Sequence, residues 1–137
     1  PSGSDATPSV DAMVAALEER LQQNPDDIAG WKMLGRSSIQ LQNYPRAVRA
    51  FEQALQREGG NNGDTLAELG EAVLLESGER VNGRPAELFE AALALTPNNP
   101  KALFYGGIAA IERNEPASPN GAATPRRRRQ RRTATSR

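Results

Sequence analysis

The chain has 137 residues, enough for one domain of ordinary size, and its 17 lysine and arginine residues balance 17 aspartate and glutamate residues. Seven arginines lie in residues 126–137, which contain no acid, so residues 1–125 have 10 basic and 17 acidic side chains and a net charge of −7. The chain has no cysteine and no histidine, which excludes disulfides, thiolate chemistry, a Ser-His-Asp triad and the usual histidine-containing zinc sites. We therefore predict a protein that is not an enzyme, with no catalytic residue, no cofactor and no metal site.

Three amphipathic helices are predicted in the first half of the chain. The first covers residues 11–23, where apolar side chains recur every three or four positions until a proline ends the pattern. The second begins near Asp27, a good N-cap residue. The third has Pro45 in its first turn and continues to Arg57. Glycine and asparagine fill residues 59–63, which predicts a loop.

Three more helices are predicted in the second half. A helical pattern restarts at Asp64, breaks over residues 77–84 and resumes at Pro85. Pro97 ends this fifth helix, and Pro100 opens a sixth. No segment shows the alternation with β-branched residues that a strand requires, so the predicted fold class is all-α. No apolar run approaches the ~20 residues of a membrane-spanning helix, so none of these segments is predicted to cross a bilayer.

An internal repeat organises these helices. Residues 31–35 have the pattern W-x2-L-G and residues 47–54 the pattern A-x3-F-x2-A, which is the signature of a tetratricopeptide (TPR) repeat. A looser second copy lies at residues 66–70 and 89–97, with three residues added to the turn between its helices. A third copy begins at Pro100 and lacks a second helix. We predict a TPR helix-turn-helix solenoid, an α-α superhelix of about two and a half repeats after an opening helix.

The small and aromatic residues of the pattern predict how each helix pair packs. Gly35, Gly70 and Gly107 are expected where the two helices of a pair approach most closely, with alanines opposite them. The phenylalanine of the second helix is expected to pack the pair. Trp31 is expected to be largely buried between the opening helix and the first pair.

The predicted domain organisation has three parts. A TPR solenoid domain covers residues 10–114, a disordered linker covers residues 1–9, and a disordered arginine-rich tail covers residues 115–137. The chain begins at Pro1 without a methionine, as expected of a fragment from a longer reading frame. The tail follows a helix pair cut in half, so we interpret it as the product of a shifted or truncated reading frame, with a functional basic arm as the alternative.

Further segments, with turn residues at fixed places, indicate a more specific family than TPR proteins in general. They are MVAALEERL at 13–21, NPDD at 24–27, GW-x-MLGRS at 30–37, ERVNGRP at 79–85, LFEAALAL at 88–95 and NPKAL at 99–103. On these residues, the span 12–114 resembles the periplasmic TPR domain of the cytochrome c maturation proteins of the CcmI/CycH type. TPR domains of nitrite reductase assembly factors are similar.

The resemblance implies a function and a location. Proteins of this family are anchored in the inner membrane by an amino-terminal helical part. Their TPR domain holds the carboxy-terminal helix of an unfolded c-type apocytochrome for the haem-ligation machinery. The implied partners are therefore the apocytochrome c helix and haem lyase components, with no small-molecule substrate, and membrane contact only through a missing amino-terminal part. The implied location is a periplasmic domain of an inner-membrane protein, with the cytoplasm as the alternative.

The first helix of each TPR pair lines the concave face, so the exposed positions on those helices predict a peptide-binding groove. The candidate residues are Lys32, Arg36, Ile39, Gln40, Glu71, Leu74, Leu75, Phe104, Ile108 and Ile111, together with Ala67. They give a basic rim beside an apolar floor, suited to an amphipathic helix with a few acidic residues. The alternative is that Ile39, Leu74 and Ile108 are core between repeats, and that Lys32 and Arg36 are merely solvated.

Two other functions stay open on the sequence. One is a generic TPR scaffold in another assembly complex. The other is association with nucleic acid through the six arginines of residues 126–132, although no aromatic residue is interleaved there for base stacking, which argues against nucleic acid as a partner. A clamp for a terminal carboxylate is not predicted, because Arg36 stands where such clamps have asparagine and the second repeat offers Ala67 and Glu71 instead of a cation.

Overall fold

The computed structural model describes residues 9–78 and 80–114, and every regular element in them is an α-helix. The helices are α1 (Val10–Gln23), α2 (Ile28–Gln40), α3 (Tyr44–Arg57), α4 (Gly63–Ser77), α5 (Arg84–Leu95) and α6 (Pro100–Asn114). The all-α prediction and the number of helices predicted for this part of the chain are confirmed. None of these helices is long and apolar enough to cross a membrane. The predicted linker, except for its last residue, and the predicted arginine-rich tail lie outside the described residues.

Polar side chains fix where most helices begin. Ser9, Asp27, Asn43 and Asn62 accept hydrogen bonds from free backbone N–H groups in the first turns of α1, α2, α3 and α4. Asn99 does the same for α6. These caps set each helix start within a residue or two of the predicted position.

The boundaries differ from prediction at both ends of α4 and at the start of α5. Gly63, predicted as loop, is the first residue of α4, because Asn62 caps the helix immediately before it. Ser77 and Arg84, predicted in a break, are helical. The intervening turn is held from α6, where Glu112 accepts hydrogen bonds from the backbone N–H groups of residues 81 and 82 at 3.4 and 3.0 Å.

Three groups of buried side chains form the core, and each joins helices that are near neighbours along the chain. The first contains Leu21 and Leu34 and joins α1 to α2 and α3. The second contains Phe51 and Leu69 and joins α3 to α4. The third surrounds Phe89 with alanines of α4 and α6. The core therefore runs along the stack of helix pairs, as expected for a solenoid in which each repeat contacts its neighbours.

Close glycine-to-phenylalanine contacts hold the two complete pairs together. A Cβ placed on Gly35 would lie 2.6 Å from Cζ of Phe51, and one on Gly70 would lie 2.8 Å from Cε1 of Phe89. Both are nearer than real Cβ contacts allow, so only glycine fits under these rings. The prediction is confirmed for these two glycines. It is wrong for Gly107, where a Cβ would meet no described atom within 4 Å.

Trp31 is less deeply buried than predicted. It packs partly buried against the α1–α2 core group, and its Nε1 donates a hydrogen bond to the carbonyl oxygen of Pro25 at 2.8 Å. The guanidinium of Arg57 lies 5.8 Å from the ring centroid, in cation–π range. The ring thus covers the edge of the first pair and keeps one side toward solvent.

Trp31→Ala is expected to lower the free energy of unfolding by about 2 kcal/mol, less than the 3–5 kcal/mol typical of a fully buried tryptophan. The ring's apolar contacts with α1 would be lost, but the partly exposed site leaves a smaller cavity. Urea unfolding followed by circular dichroism measures the change. The native emission of Trp31 should be blue-shifted, and a spectrum equal to that of free indole in water would contradict this packing.

Candidate functional site

The predicted groove residues lie on α2, α4 and α6, and the structure brings these three helices to one surface. A shallow cavity of about 280 Å³ joins them. Its lining residues are Arg36, Asp64, Ala67, Glu68, Asn99, Pro100 and Lys101. We refer to this surface as the α2–α4–α6 face.

Ion pairs bridge the three helices across this face. Nε and Nη2 of Arg36 donate to the two carboxylate oxygens of Glu68 at 2.6 and 3.0 Å, which joins α2 to α4. Nζ of Lys101 lies 2.8 Å from Oε1 of Glu71, and the hydroxyl of Tyr105 donates to Oε2 of Glu71 at 3.1 Å, which joins α6 to α4. The hydrogen bond to Glu68 raises the pKa of Arg36 against the opposing effect of burial, and the nearby carboxylate charges add to the rise.

Tyr105 also has a raised pKa. Burial is the largest cause, followed by the negative charge of Glu71 and the hydrogen bond to it. Because the folded-state pKa lies above the unfolded value of about 10, the neutral phenol stabilises the fold below that pH. This contribution is lost as the pH rises through the folded-state pKa.

Glu71→Gln is expected to make Tyr105 ionise at a lower pH, because the substitution removes both the charge and the carboxylate that oppose ionisation. Burial should still hold the pKa above its ordinary value. Tyrosinate absorbance during an alkaline titration, in a Tyr44→Phe background that leaves Tyr105 as the single tyrosine, measures the shift. Superimposable titration curves with and without Glu71→Gln would show that the contact does not form.

The predicted basic rim is present in position but its charges are neutralised. Nζ of Lys32 lies 3.1 Å from Oε2 of Glu58, and 19% of the Lys32 side chain is exposed. Arg36 is paired with Glu68, as described above. Gln40 is exposed at the end of α2. A ligand on this face would therefore meet paired ions rather than free cations.

Most of the predicted apolar floor belongs to the core. Ile39, Leu74 and Ile108 are partly buried and pack against the core groups, which fits the alternative of core between repeats. Leu75 is also only partly exposed. The prediction that Ala67 is exposed is wrong, because it is fully buried in the core group that α6 helps to form.

Two of the predicted apolar residues remain open to solvent. Phe104 is 62% exposed and Ile111 is 57% exposed, both on α6. The ring of Phe104 meets Tyr105 edge-on with centroids 5.1 Å apart, and Tyr105 stacks on buried Phe89 at 4.9 Å. This chain of rings continues the core out to Phe104 and restrains the exposed aromatic side chain.

Sequence reasoning missed several residues of this region. Glu68 and Lys101 line the α2–α4–α6 face, and Tyr105 donates a hydrogen bond to Glu71 of α4. Lys101 and Tyr105 are four residues apart on α6, and this spacing on one side of the helix was the available signal. A separate apolar groove of about 350 Å³ lies between α1 and α2, where Met13 and Met33 are exposed. In the part of the chain that the structure describes, no cluster of acidic side chains is arranged to hold a metal ion.

Comparison with known proteins identifies the family. The family model for the cytochrome c-type biogenesis protein H TPR domain matches residues 6–120. The chain belongs to this family. The cytochrome c-type biogenesis protein CycH of Bradyrhizobium diazoefficiens is 33% identical over 109 residues, covering 80% of this chain and 29% of the relative. CycH of Pseudomonas aeruginosa is 32% identical over 104 residues, covering 76% and 25%.

The family match confirms the resemblance found in the sequence. The chain is a TPR domain of the cytochrome c-type biogenesis family and spans less than a third of the length of the CycH relatives. The formate-dependent nitrite reductase complex subunit NrfG of Escherichia coli O157:H7 is also similar, at 27% identity over 94 residues, covering 69% of this chain and 47% of the relative.

Proposed function

We propose that residues 10–114 form a peptide-binding module that holds the carboxy-terminal helix of a c-type apocytochrome for haem attachment. The observation that carries the proposal is the exposed pair Phe104 and Ile111 on α6, the helix that contributes Lys101 to the α2–α4–α6 face, in a chain of the CycH family. The module acts by binding and has no catalytic step of its own.

The spacing of the exposed pair suits a helical ligand. Phe104 and Ile111 are seven residues apart on α6, so their side chains are separated by about 10 Å along the helix axis. An amphipathic helix repeats its apolar anchors over the same distance. The paired ions of Arg36 and Lys101 would form a polar rim around this contact.

Apolar contact should contribute more to this binding than charge attraction. Both cations of the predicted rim already have carboxylate partners, so an acidic ligand would have to compete with Glu58 and Glu68. We therefore expect only weak salt dependence. This replaces the expectation, from the sequence, of a basic rim that attracts acidic residues of the ligand.

Phe104→Asp is expected to weaken binding of an apocytochrome peptide at least tenfold. A fluorescent peptide from the carboxy-terminal helix of a c-type apocytochrome should bind the parent chain at roughly micromolar strength, about −8 kcal/mol, measured by anisotropy. The aspartate would place a charge where the ligand buries apolar surface. Circular dichroism should stay helical, because Phe104 lies outside the core.

Leu95→Asp is the matched control. Leu95 is 47% exposed at the end of α5 and does not line the cavity of the α2–α4–α6 face, so this change should leave peptide affinity within about twofold. Equal binding of a scrambled peptide, or an equal effect of the two substitutions, would remove the proposed function.

The proposed setting is a periplasmic domain of an inner-membrane parent that also contacts haem lyase components. Support comes from the CycH relatives, since this chain matches only a quarter to a third of the length of each. Alkaline phosphatase fused after this domain in the parent protein would be active in the periplasm. An inactive fusion would favour the cytoplasmic alternative.

A further inference from the structure

A second surface of α6 is open to solvent, separate from the cavity between α2, α4 and α6. It is a groove of about 320 Å³ between α5 and α6. We call it the α6 edge and define it by Glu90 and Leu93 of α5 with Leu103, Gly106 and Gly107 of α6. The two complete helix pairs show what covers the equivalent surface elsewhere in the stack.

The α6 edge has the residues that receive a second helix in the other repeats. Gly35 and Gly70 each lie under the phenylalanine of the next helix, and Gly107 is in the same register four residues after Leu103. A Cβ on Gly107 would meet no described atom within 4 Å. Leu66, the equivalent of Leu103 in the second repeat, is 6% exposed, whereas Leu103 is 52% exposed.

A second regularity concerns charge. Each second helix carries an arginine five residues before its phenylalanine, and this arginine pairs with a glutamate of an earlier helix. Nη1 of Arg46 lies 3.9 Å from Glu18 on α1, and Nη2 of Arg84 lies 3.0 Å from Glu52 on α3. Glu52 directly follows a phenylalanine, and Glu90 does the same on α5. Glu90 therefore stands where the next arginine of the series would bind, and that arginine would compete with Nη1 of Arg113 on α6, which lies 3.8 Å from the Glu90 carboxylate in an exposed ion pair.

We infer that the α6 edge binds, in trans, an amphipathic helix of a partner protein that continues this series. The helix would place an aromatic ring over Gly107, an alanine or other small residue three positions later, and an arginine five positions earlier against Glu90. The residue three positions after the ring must be small, because in the existing pairs this position is occupied by Ala54 and Ala92, which are both fully buried. This inference does not depend on the apocytochrome proposal.

Two other occupants fit this pattern less well. Residues 115–137 contain no aromatic residue and no leucine, isoleucine or valine, so they lack the ring that the site receives. In a second copy, both α1 and α6 have open faces. α1 has Leu17 where the pattern requires an aromatic residue and Ala12 where it requires an arginine, and α6 has Asn99 in place of the arginine, five residues before Phe104.

The test uses a labelled peptide of residues 43–58 as the probe, since α3 is a helix of the required type. We expect saturable binding to the full chain, measured by fluorescence anisotropy. Gly107→Leu should weaken it at least tenfold by filling the space for the ring. The same substitution should leave the melting temperature unchanged or raised, because the new side chain meets no described neighbour at its Cβ. A probe with Phe51→Ala should bind at least tenfold more weakly.

A charge exchange tests the register. Arg46→Glu in the probe and Glu90→Arg in the chain should each weaken binding severalfold, and the two together should restore most of the affinity. Unchanged binding of the probe to the Gly107→Leu chain would overturn the inference, and so would absence of rescue in the charge exchange. Two further outcomes would overturn the inference. If the free chain dimerises and Gly107→Leu abolishes the dimer, a second copy occupies the edge. If deletion of residues 115–137 makes the probe bind more tightly, those residues occupy it. The probe contains no apocytochrome sequence, so its failure would leave the proposed function untouched.

Discussion

Phe89→Ala is expected to lower the free energy of unfolding by about 4 kcal/mol, a large part of the 5–15 kcal/mol that stabilises a typical domain. Phe89 is fully buried, lies on Gly70 of α4 and stacks on Tyr105 of α6 at 4.9 Å. One ring therefore joins three helices. Its removal leaves a cavity that the glycine opposite cannot fill.

Phe104→Ala is the matched control, because it removes the same side chain from the same region. Phe104 is mostly exposed and meets Tyr105 edge-on, so its loss should cost less than about 1 kcal/mol. Urea unfolding followed by circular dichroism should show a lower midpoint for Phe89→Ala at an unchanged slope. Equal losses from the two substitutions would mean that Phe89 does not hold the second pair to α6.

The helices were predictable because their signals are local. Asp27, Pro45 and Pro100 mark helix starts through capping and a fixed backbone angle, and apolar spacing marks the buried side. Gly70 and Phe89 could also be paired from the sequence, because the repeat pattern encodes their contact directly. The family resemblance rested on the same local turn residues.

The character of the α2–α4–α6 face could not be predicted in the same way. Arg36 and Glu68 are 32 residues apart, and Glu71 and Lys101 are 30 apart, so their pairing depends on how far one repeat rotates against the next. Periodicity assigns a residue to a side of its helix and does not say which neighbour covers it. Ala67 shows this limit, since α6 buries a position that the pattern of α4 predicted to be open.

Alanine at Gly70 and at Gly107 is expected to change stability in opposite directions, although the two glycines occupy the same place in the repeat. At Gly107 the added methyl group meets no described neighbour, so the gain in helix propensity should stabilise the fold by up to about 1 kcal/mol. At Gly70 the Cβ would lie 2.8 Å from the ring of Phe89. Overpacking of this kind typically costs about 1–3 kcal/mol and outweighs the propensity gain.

The first repeat offers a third glycine, which helps to distinguish the effect of packing on stability from the effect of helix propensity. Gly35→Ala should resemble Gly70→Ala, because its Cβ would lie 2.6 Å from the ring of Phe51. Thermal unfolding of the three variants should therefore give two lowered melting temperatures and one raised. If all three melting temperatures rose, the phenylalanine rings must have moved aside to admit the methyl group. Close contact between the paired helices would then not explain the glycines. If Gly107→Ala fell with the others, the space over Gly107 would not be open, and the α6 edge could not receive a further helix.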